Sequence, residues 1–343
     1  MAYRFKLTES VAAGASRIGL EQIDSAQARL ASRENSAAAI HDARRCLKRL
    51  RALLRLVRSA LPERVYRREA TRLVNIGRLL ADARDQHVMQ QTLAKLESRF
   101  GPLPNGASSK LAKLLANGSG VAHSGARERR QALEGLEHAR TFFTRLVRRP
   151  FTFEHIAAGV ERSYRRARRG FREAYESPAG EVFHEWRKAV QQHWRHMQLI
   201  SRAWPEVLGG RASEAKELSR LLGDDHDIEV FLAFVAERGK AVLFEDELEA
   251  LIKLCRSLQQ ELRQEARPRG ARLFAEPASN MRERMEFYWS AARDLSALAP
   301  QRESGEKPRK KVAAAKGQRP ARRVAQAASR GGTGSGPGRR SGQ

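Results

Sequence analysis

Two short segments of this chain each occur twice, and their spacing constrains the fold more than any other feature. The first segment starts at His41 and again at His184, with two adjacent cations one helical turn later. The second segment places Asp85 44 residues after His41, and Asp227 43 residues after His184. Because the two separations agree so closely, the sequence predicts an internal duplication.

Almost all of the sequence between residues 10 and 298 has helical periodicity, and no stretch alternates in the manner of a β-strand. Prolines separate the periodic blocks, so the sequence predicts an all-α fold. A loose connection is expected over residues 263–277, where Gly270 lies between two prolines. The predicted helices cover residues 9–32, 36–60, 63–98, 108–117, 125–147, 154–176, 180–203, 211–237, 243–265 and 277–297.

The chain is strongly basic, with a formal net charge of +26. Ten of these charges belong to residues 301–343, whose Lys, Arg, Ala and Gly-rich composition predicts disorder. The helical part is therefore basic on its own, which favours a polyanionic partner. No run of 18 apolar residues occurs, and Cys46 and Cys255 are expected to be buried free thiols. These features predict a cytoplasmic protein that does not enter membranes.

Each repeated histidine begins a segment that predicts an amphipathic helix with one basic face. Exposed helix faces normally mix charges of both signs, yet Asp42 is the only acid between His41 and Arg58. A polyanion site is therefore favoured over an ordinary solvated face. The first basic face comprises His41, Arg44, Arg45, Lys48, Arg51 and Arg55. The second comprises His184, Arg187, Lys188, Gln191, Arg195 and Arg202.

The residue types on these faces favour phosphate groups without bases. Arginine offers paired donors for phosphate oxygens. The first basic face has neither the aromatic rings that stack single strands nor the amides that read base edges. No metal is expected, and the histidines are predicted either to donate to phosphate or to buttress a helix N-terminus. Asp85 and Asp227 are predicted to be structural, either capping a helix or holding an arginine.

The repeated segments resemble the CHAD family, the conserved histidine α-helical domain. The resemblance covers about residues 5–297 and implies two similar antiparallel helical bundles related by a pseudo-two-fold axis. It implies repeats over 5–148 and 150–298, a basic channel between them, and a separate tail over 299–343. The motifs that carry it are His41-x-x-Arg44-Arg45-x-x-Lys48-Arg49-x-Arg51, His184-Glu185-Trp186-Arg187-Lys188 and Leu222-Gly223-Asp224-Asp225-His226-Asp227.

Members of this family bind inorganic polyphosphate and can sit on polyphosphate granules. Gln191 stands where the family usually has lysine and Ala81 replaces a glycine, so the first half is expected to bind the anion more strongly. The resemblance assigns the ligand to His41, Arg44, Arg45, Lys48, Arg51, His184, Arg187 and Lys188. Wheel geometry and local charge extend this set to Arg55, Arg195, Arg165 and Arg168.

Three functions stay open at this point. The favoured one is a non-catalytic, cofactor-free polyphosphate-binding protein that targets or organises granules. The second is nonspecific DNA binding through the basic C-terminal tail, which would place the protein at the nucleoid. The third is a metal-dependent phosphohydrolase that uses the histidines. The Glu-x-Glu-x-Lys strand of triphosphate-processing family members does not occur in this sequence, so no enzyme is expected.

Overall fold

The structure, a computed structural model, describes residues 3–32, 37–80, 85–117 and 125–298. Within these ranges the chain is all-α, as predicted, and none of the described residues forms a strand. The pseudo-two-fold relation between the halves stays a prediction, and the predicted tail disorder lies outside the described residues. The helices are α1 (Val11–Ala31), α2 (Ala37–Leu56), α3 (Glu63–Leu79), α4 (Asp85–Phe100), α5 (Ala107–Asn117), α6 (Ala126–Leu146), α7 (Phe153–Glu176), α8 (Gly180–Ile200), α9 (Pro205–Arg238), α10 (Glu245–Leu273) and α11 (Ala278–Leu298).

The helices pack around two hydrophobic cores. In the larger core, α1 packs on α2 and α6, and α8 packs on α7 and α9, around fully buried side chains such as Phe143 and Trp186. A smaller core joins α4 and α5 to α9 and α10 around Leu96 and Phe231. None of the described helices combines the length and apolarity that crossing a membrane requires.

Local signals in the sequence explain where several helices begin. The Ser10 hydroxyl accepts a hydrogen bond from the Ala13 amide at 3.1 Å and caps α1. Pro205 is the first residue of α9, so this helix begins six residues before the predicted start at 211. Proline suits the first turn because its missing N–H would have no helical partner there. A proline that was interpreted as a separator is thus a helix start.

The helix predicted over 63–98 is wrong, because the chain leaves helical geometry at Leu80. Leu80 has φ −109° and ψ 22°, and α3 ends at the preceding residue. The Arg44 guanidinium donates a hydrogen bond to the Leu80 carbonyl, which satisfies an acceptor at the helix end. The segment therefore forms α3 and α4 as separate helices.

The loose connection predicted over 263–277 is also wrong, since α10 continues through Pro268 to Leu273. A proline inside a helix removes one hydrogen bond and costs about 3 kcal/mol. Tertiary packing offsets this cost. Gly270 lies against Trp186 and Phe171, and the Tyr175 hydroxyl donates to the Arg263 carbonyl at 2.6 Å.

The backbones of α2 and α7 come very close together at Gly159. A Cβ atom at this position would lie 2.1 Å from the Leu56 carbonyl oxygen, so only glycine allows the two backbones to come this close. One turn further along, the Ser59 hydroxyl donates to the His155 carbonyl at 3.0 Å. The order of these contacts shows that α2 and α7 run antiparallel here. This junction fixes one end of the space between the two helices.

Candidate anion-binding site

A cleft with a volume of about 210 Å³ lies between α2 on one side and α7 and α8 on the other. Six of its lining residues are lysine or arginine, and none of the described lining residues is acidic or aromatic. The lining residues are Lys48, Arg51, Ala52, Arg55, Arg166, Lys188, Gln191, Gln192 and Arg195. Five of the twelve predicted ligand residues, drawn from both halves, therefore meet on one surface: Lys48, Arg51, Arg55, Lys188 and Arg195.

A buried histidine of α8 links α2 and α7 beneath the floor of the cleft. His196 of α8 donates from Nε2 to the Ala52 carbonyl of α2 at 3.0 Å. Its Nδ1 lies 3.0 Å from the Ser163 hydroxyl of α7. Burial lowers the pKa of His196 to about 3, so the ring is neutral near pH 7 and serves as a structural link. His193 of the same helix is also fully buried.

The cations of the cleft repel one another. Burial, followed by the charges of Arg49 and Arg187, lowers the pKa of Arg195 to about 10. Burial and then the charge of Arg55 also lower the pKa of Arg51. Among the described residues, no carboxylate forms an ion pair with Arg51, Arg55 or Arg195. A bound anion would relieve this repulsion, which is the electrostatic signature of an anion site.

Glu185 neutralises two cations at the mouth of the cleft. One of its carboxylate oxygens lies 3.0 Å from Nη2 of Arg166, and the other lies 2.5 Å from Nζ of Lys188. The hydrogen bond from Lys188 lowers the pKa of Glu185, so this carboxylate is ionised at neutral pH. An anionic ligand that reaches the mouth competes with Glu185 for both cations.

Replacing Glu185 with glutamine should therefore strengthen the binding of a polyanion. Exposed ion pairs contribute less than about 1 kcal/mol, so we expect the dissociation constant to fall about two- to fivefold. Isothermal titration of Glu185→Gln with a polyanion measures this change. The matched control is Glu181→Gln, which removes the same charge from an exposed position on α8. Equal effects of both substitutions would show only a long-range charge effect and would contradict direct competition.

A second basic cavity of about 240 Å³ lies next to the cleft, between α2 and α3. Lys48 and Arg51 line both cavities, and Arg44 and Arg78 complete the cationic lining of the second. Arg44 also holds the end of α3 through its bond to the Leu80 carbonyl. The basic surface therefore continues from the cleft onto the α2–α3 groove.

His184 and Arg187 lie behind the cleft, at the contact of α8 with α9. The ring centroid of His184 is 3.9 Å from that of His226, and its Nδ1 is buried without a hydrogen-bond partner. Burial, and then the charges of Lys188 and Arg187, lower the pKa of His184. Arg187 is half-buried, and its Nε would lie 3.7 Å from a Cβ at Gly223. Both side chains sit close to the cleft without lining it.

Four other predicted ligand residues also lie outside the cleft lining. His41 is exposed, and Arg45 forms an ion pair with Asp42 at 3.0 Å. On α7, Arg165 pairs with Glu161, and Arg168 donates from Nε to the Phe274 carbonyl at 3.1 Å. Contact of these four residues with a ligand stays a prediction.

The repeated aspartates have different positions in the two halves. Asp85 begins α4, but its side chain lies outside the described residues. Asp227 lies inside α9, so the helix-capping alternative does not apply to it. The nearby Asp225 is the buried carboxylate that holds Arg263, at 2.7 Å. A structural role for Asp85 and Asp227 stays a prediction.

Sequence reasoning missed Arg166, the cation that α7 contributes to the cleft. Gly159, Arg162 and Arg166 are spaced by three and four residues, so they share one face of α7. Gly159 contacts α2. A helical wheel centred on this glycine would therefore have placed Arg166 on the face of α7 that points towards α2. The lining takes three cations from α2 and three from α7 and α8. Stronger anion binding by the first half stays a prediction. No group of three or more His, Cys, Asp or Glu residues in the described part of the chain could hold a metal ion.

Helices α2, α7 and α8 thus form an all-helical cleft lined by cations. The chain belongs to the CHAD domain family, whose pattern matches residues 17–236. The matched region contains α2, α7 and α8 and therefore every residue of the cleft. Membership of this family is consistent with polyphosphate binding. No curated protein matches the sequence.

Proposed function

We propose that this protein binds inorganic polyphosphate in the basic cleft. The observation that carries this proposal is the lining itself, with six cations and no carboxylate among the described residues that form it. Polyphosphate carries about one negative charge per phosphate and no bases, so a row of lysines and arginines suffices to bind it. Two neutral amides, Gln191 and Gln192, add donors without adding charge.

The shape and composition of the cleft support polyphosphate over nucleic acid as its ligand. A cavity of about 210 Å³ is far too small to enclose a duplex, which could contact only its rim. A single strand would need room for its bases and aromatic platforms on which to stack them. None of the described lining residues is aromatic. A thin phosphate chain meets neither restriction.

We further propose that binding is non-catalytic and that it targets or organises polyphosphate granules. General acid–base chemistry needs a group whose pKa lies near the working pH. The lining residues supply permanent cations and neutral amides instead. His196, the histidine beneath the floor, is fully buried and has a pKa of about 3, so it cannot take part near neutral pH.

Titration of the full chain with long-chain polyphosphate, combined with an orthophosphate assay, tests this function. We expect saturable binding that weakens as salt rises, and no orthophosphate release with or without divalent metal. Absence of binding would contradict the proposal. Metal-dependent release that disappears in His41→Gln would support a phosphohydrolase instead.

The composition of residues 301–343 favours nonspecific DNA binding as a second candidate function. This segment holds 12 lysines and arginines against two acidic residues. Phosphate-backbone binding of this kind depends on charge number and not on a shaped cavity. DNA affinity carried by the tail should therefore survive substitutions in the cleft.

A further inference from the structure

The cleft has a closed end, because α2 and α7 touch at Leu56 and Gly159. Arg55 lies next to this contact on α2, and Arg162 lies one turn from it on α7. On α2 the cleft lining runs from Lys48 to Arg55 and ends there, directly before the contact at Leu56, and on α7 it includes Arg166. A chain-like ligand that follows the cleft towards the contact must therefore stop there.

Arg162 is the one cation at this closed end that has an unused buried donor. Its Nη2 is buried and has no hydrogen-bond partner, although the side chain as a whole is half-buried. Burial and then the charge of Arg58 lower the pKa of Arg162. A buried guanidinium N–H without an acceptor is unfavourable, so this position favours a bound anion.

Arg58 and Tyr66, from the neighbouring elements, lie within electrostatic range of Arg162. The Arg58 guanidinium stacks on the Tyr66 ring, 4.6 Å from its centroid. The Tyr66 hydroxyl is close enough to interact electrostatically with both Arg51 of the cleft and Arg162. Arg58 is also paired with Glu63 at 3.1 Å. Arg162 therefore remains the cation whose buried Nη2 lacks a hydrogen-bond acceptor. The closed end therefore adds a guanidinium and a phenol to the row of cations.

The chemistry of a phosphate chain matches this arrangement at its end and not in its middle. A terminal phosphate resembles a phosphate monoester, with about −1.5 to −2 charges at pH 7 and three free oxygens. An internal phosphate has two free oxygens and about one charge. Only the terminal group can occupy a position where the path stops, and its extra charge and oxygen suit the additional donors.

We infer that Arg162, with Arg55 and the Tyr66 hydroxyl, forms a subsite for the terminal phosphate of a polyphosphate chain. This inference rests on the proposed function and deepens it, because it makes the protein a receptor for chain ends. Internal phosphates then lie along Arg51, Lys48 and the cations of α8.

The test compares long-chain polyphosphate with free ends to the same preparation with both terminal phosphates blocked as phosphoramidates. The full chain should bind the free-ended polymer about tenfold more tightly, the effect of one or two charge-assisted hydrogen bonds. Arg162→Gln should remove this preference by weakening the free-ended complex only. Arg169→Gln, an equal charge change at an exposed site on α7, should keep the preference.

Equal affinity of the wild-type chain for both polymers would overturn the inference while leaving the proposed function in place. The inference would also be overturned if Arg162→Gln weakened both complexes by the same factor. Arg162 would then bind the chain like the other cations of the cleft, without preference for its end. Failure to bind either polymer would contradict the proposed function as well. Arg162→Lys keeps the charge, and it should retain part of the preference even if the glutamine variant does not fold.

Discussion

Replacing Lys48, Arg51, Arg55 and Arg195 together with glutamine is expected to weaken polyphosphate binding at least about 100-fold at low salt. These are four of the six cations that line the cleft. Release of counterions from a single-stranded polyanion gives a log–log salt slope of about −0.7 per contact, so the slope should change from about −4 to about −1. Isothermal titration at several salt concentrations measures both quantities.

The same variant should fold at least as well as the wild-type chain without ligand. Burial and mutual repulsion already lower the pKa values of Arg51 and Arg195, so their charges oppose folding when no anion is bound. Thermal unfolding of the two proteins without polyphosphate checks this point. A lower melting temperature in the variant would show that these side chains have a structural role that the cleft geometry does not reveal.

A control variant separates the cleft from the general charge of the protein. Replacing four exposed arginines with glutamine outside the cleft gives the same net charge as the cleft variant. At about 0.15 M salt, polyphosphate affinity should then change less than about threefold, because distant exposed charges are screened. An equal loss in both variants would contradict a specific cleft. The control positions are Arg127, Arg130, Arg145 and Arg148.

The second large effect is expected at Gly159, where α2 and α7 touch. In Gly159→Ala the new Cβ would lie 2.1 Å from the Leu56 carbonyl oxygen, and a backbone atom cannot rotate away. The helices must separate, so the free energy of unfolding should fall by about 3 kcal/mol. Polyphosphate affinity should fall too, because the cations of α2 and α7 move apart. Chemical denaturation and titration measure the two losses.

Gly209→Ala is the matched control for this substitution. Gly209 lies in α9 with open space where a Cβ would stand. Alanine is the better helix former by about 1 kcal/mol, so this variant should be as stable as the wild type or slightly more stable. If both alanine variants behaved alike, the close contact at Gly159 would not be the cause of the loss.

The sequence predicted the elements of this protein better than their mutual orientation. Helical periodicity and prolines placed α2, α7 and α8 within a few residues of their observed bounds. The buried free thiols Cys46 and Cys255 were also predicted correctly. These features depend on local sequence, so a single sequence suffices to predict them. Pro268 is the exception, because packing around Gly270 outweighs its local preference.

The candidate site could be predicted only in part, for a geometric reason. A helical wheel shows which residues share a face, but it does not show how that face is rotated against a neighbouring helix. Arg44 therefore looked like a free cation of the basic face, although it bonds the end of α3. On α7, Arg165 and Arg168 were predicted, whereas the residue that lines the cleft is Arg166, on the same face as Gly159. The pairing of Glu185 with Arg166 joins two helices, so no local pattern contains it.

Competition between polyphosphate and duplex DNA on the full chain is the most direct test of the central claim. Labelled long-chain polyphosphate is bound first, and unlabelled DNA is added at equal phosphate concentration at two salt concentrations. We expect the wild-type chain to keep its polyphosphate at both, because the ligand lies in a cleft that a duplex cannot enter. If DNA displaces polyphosphate equally, and both complexes are lost together as salt rises, the cleft is a generic cationic surface and the polyphosphate function is contradicted.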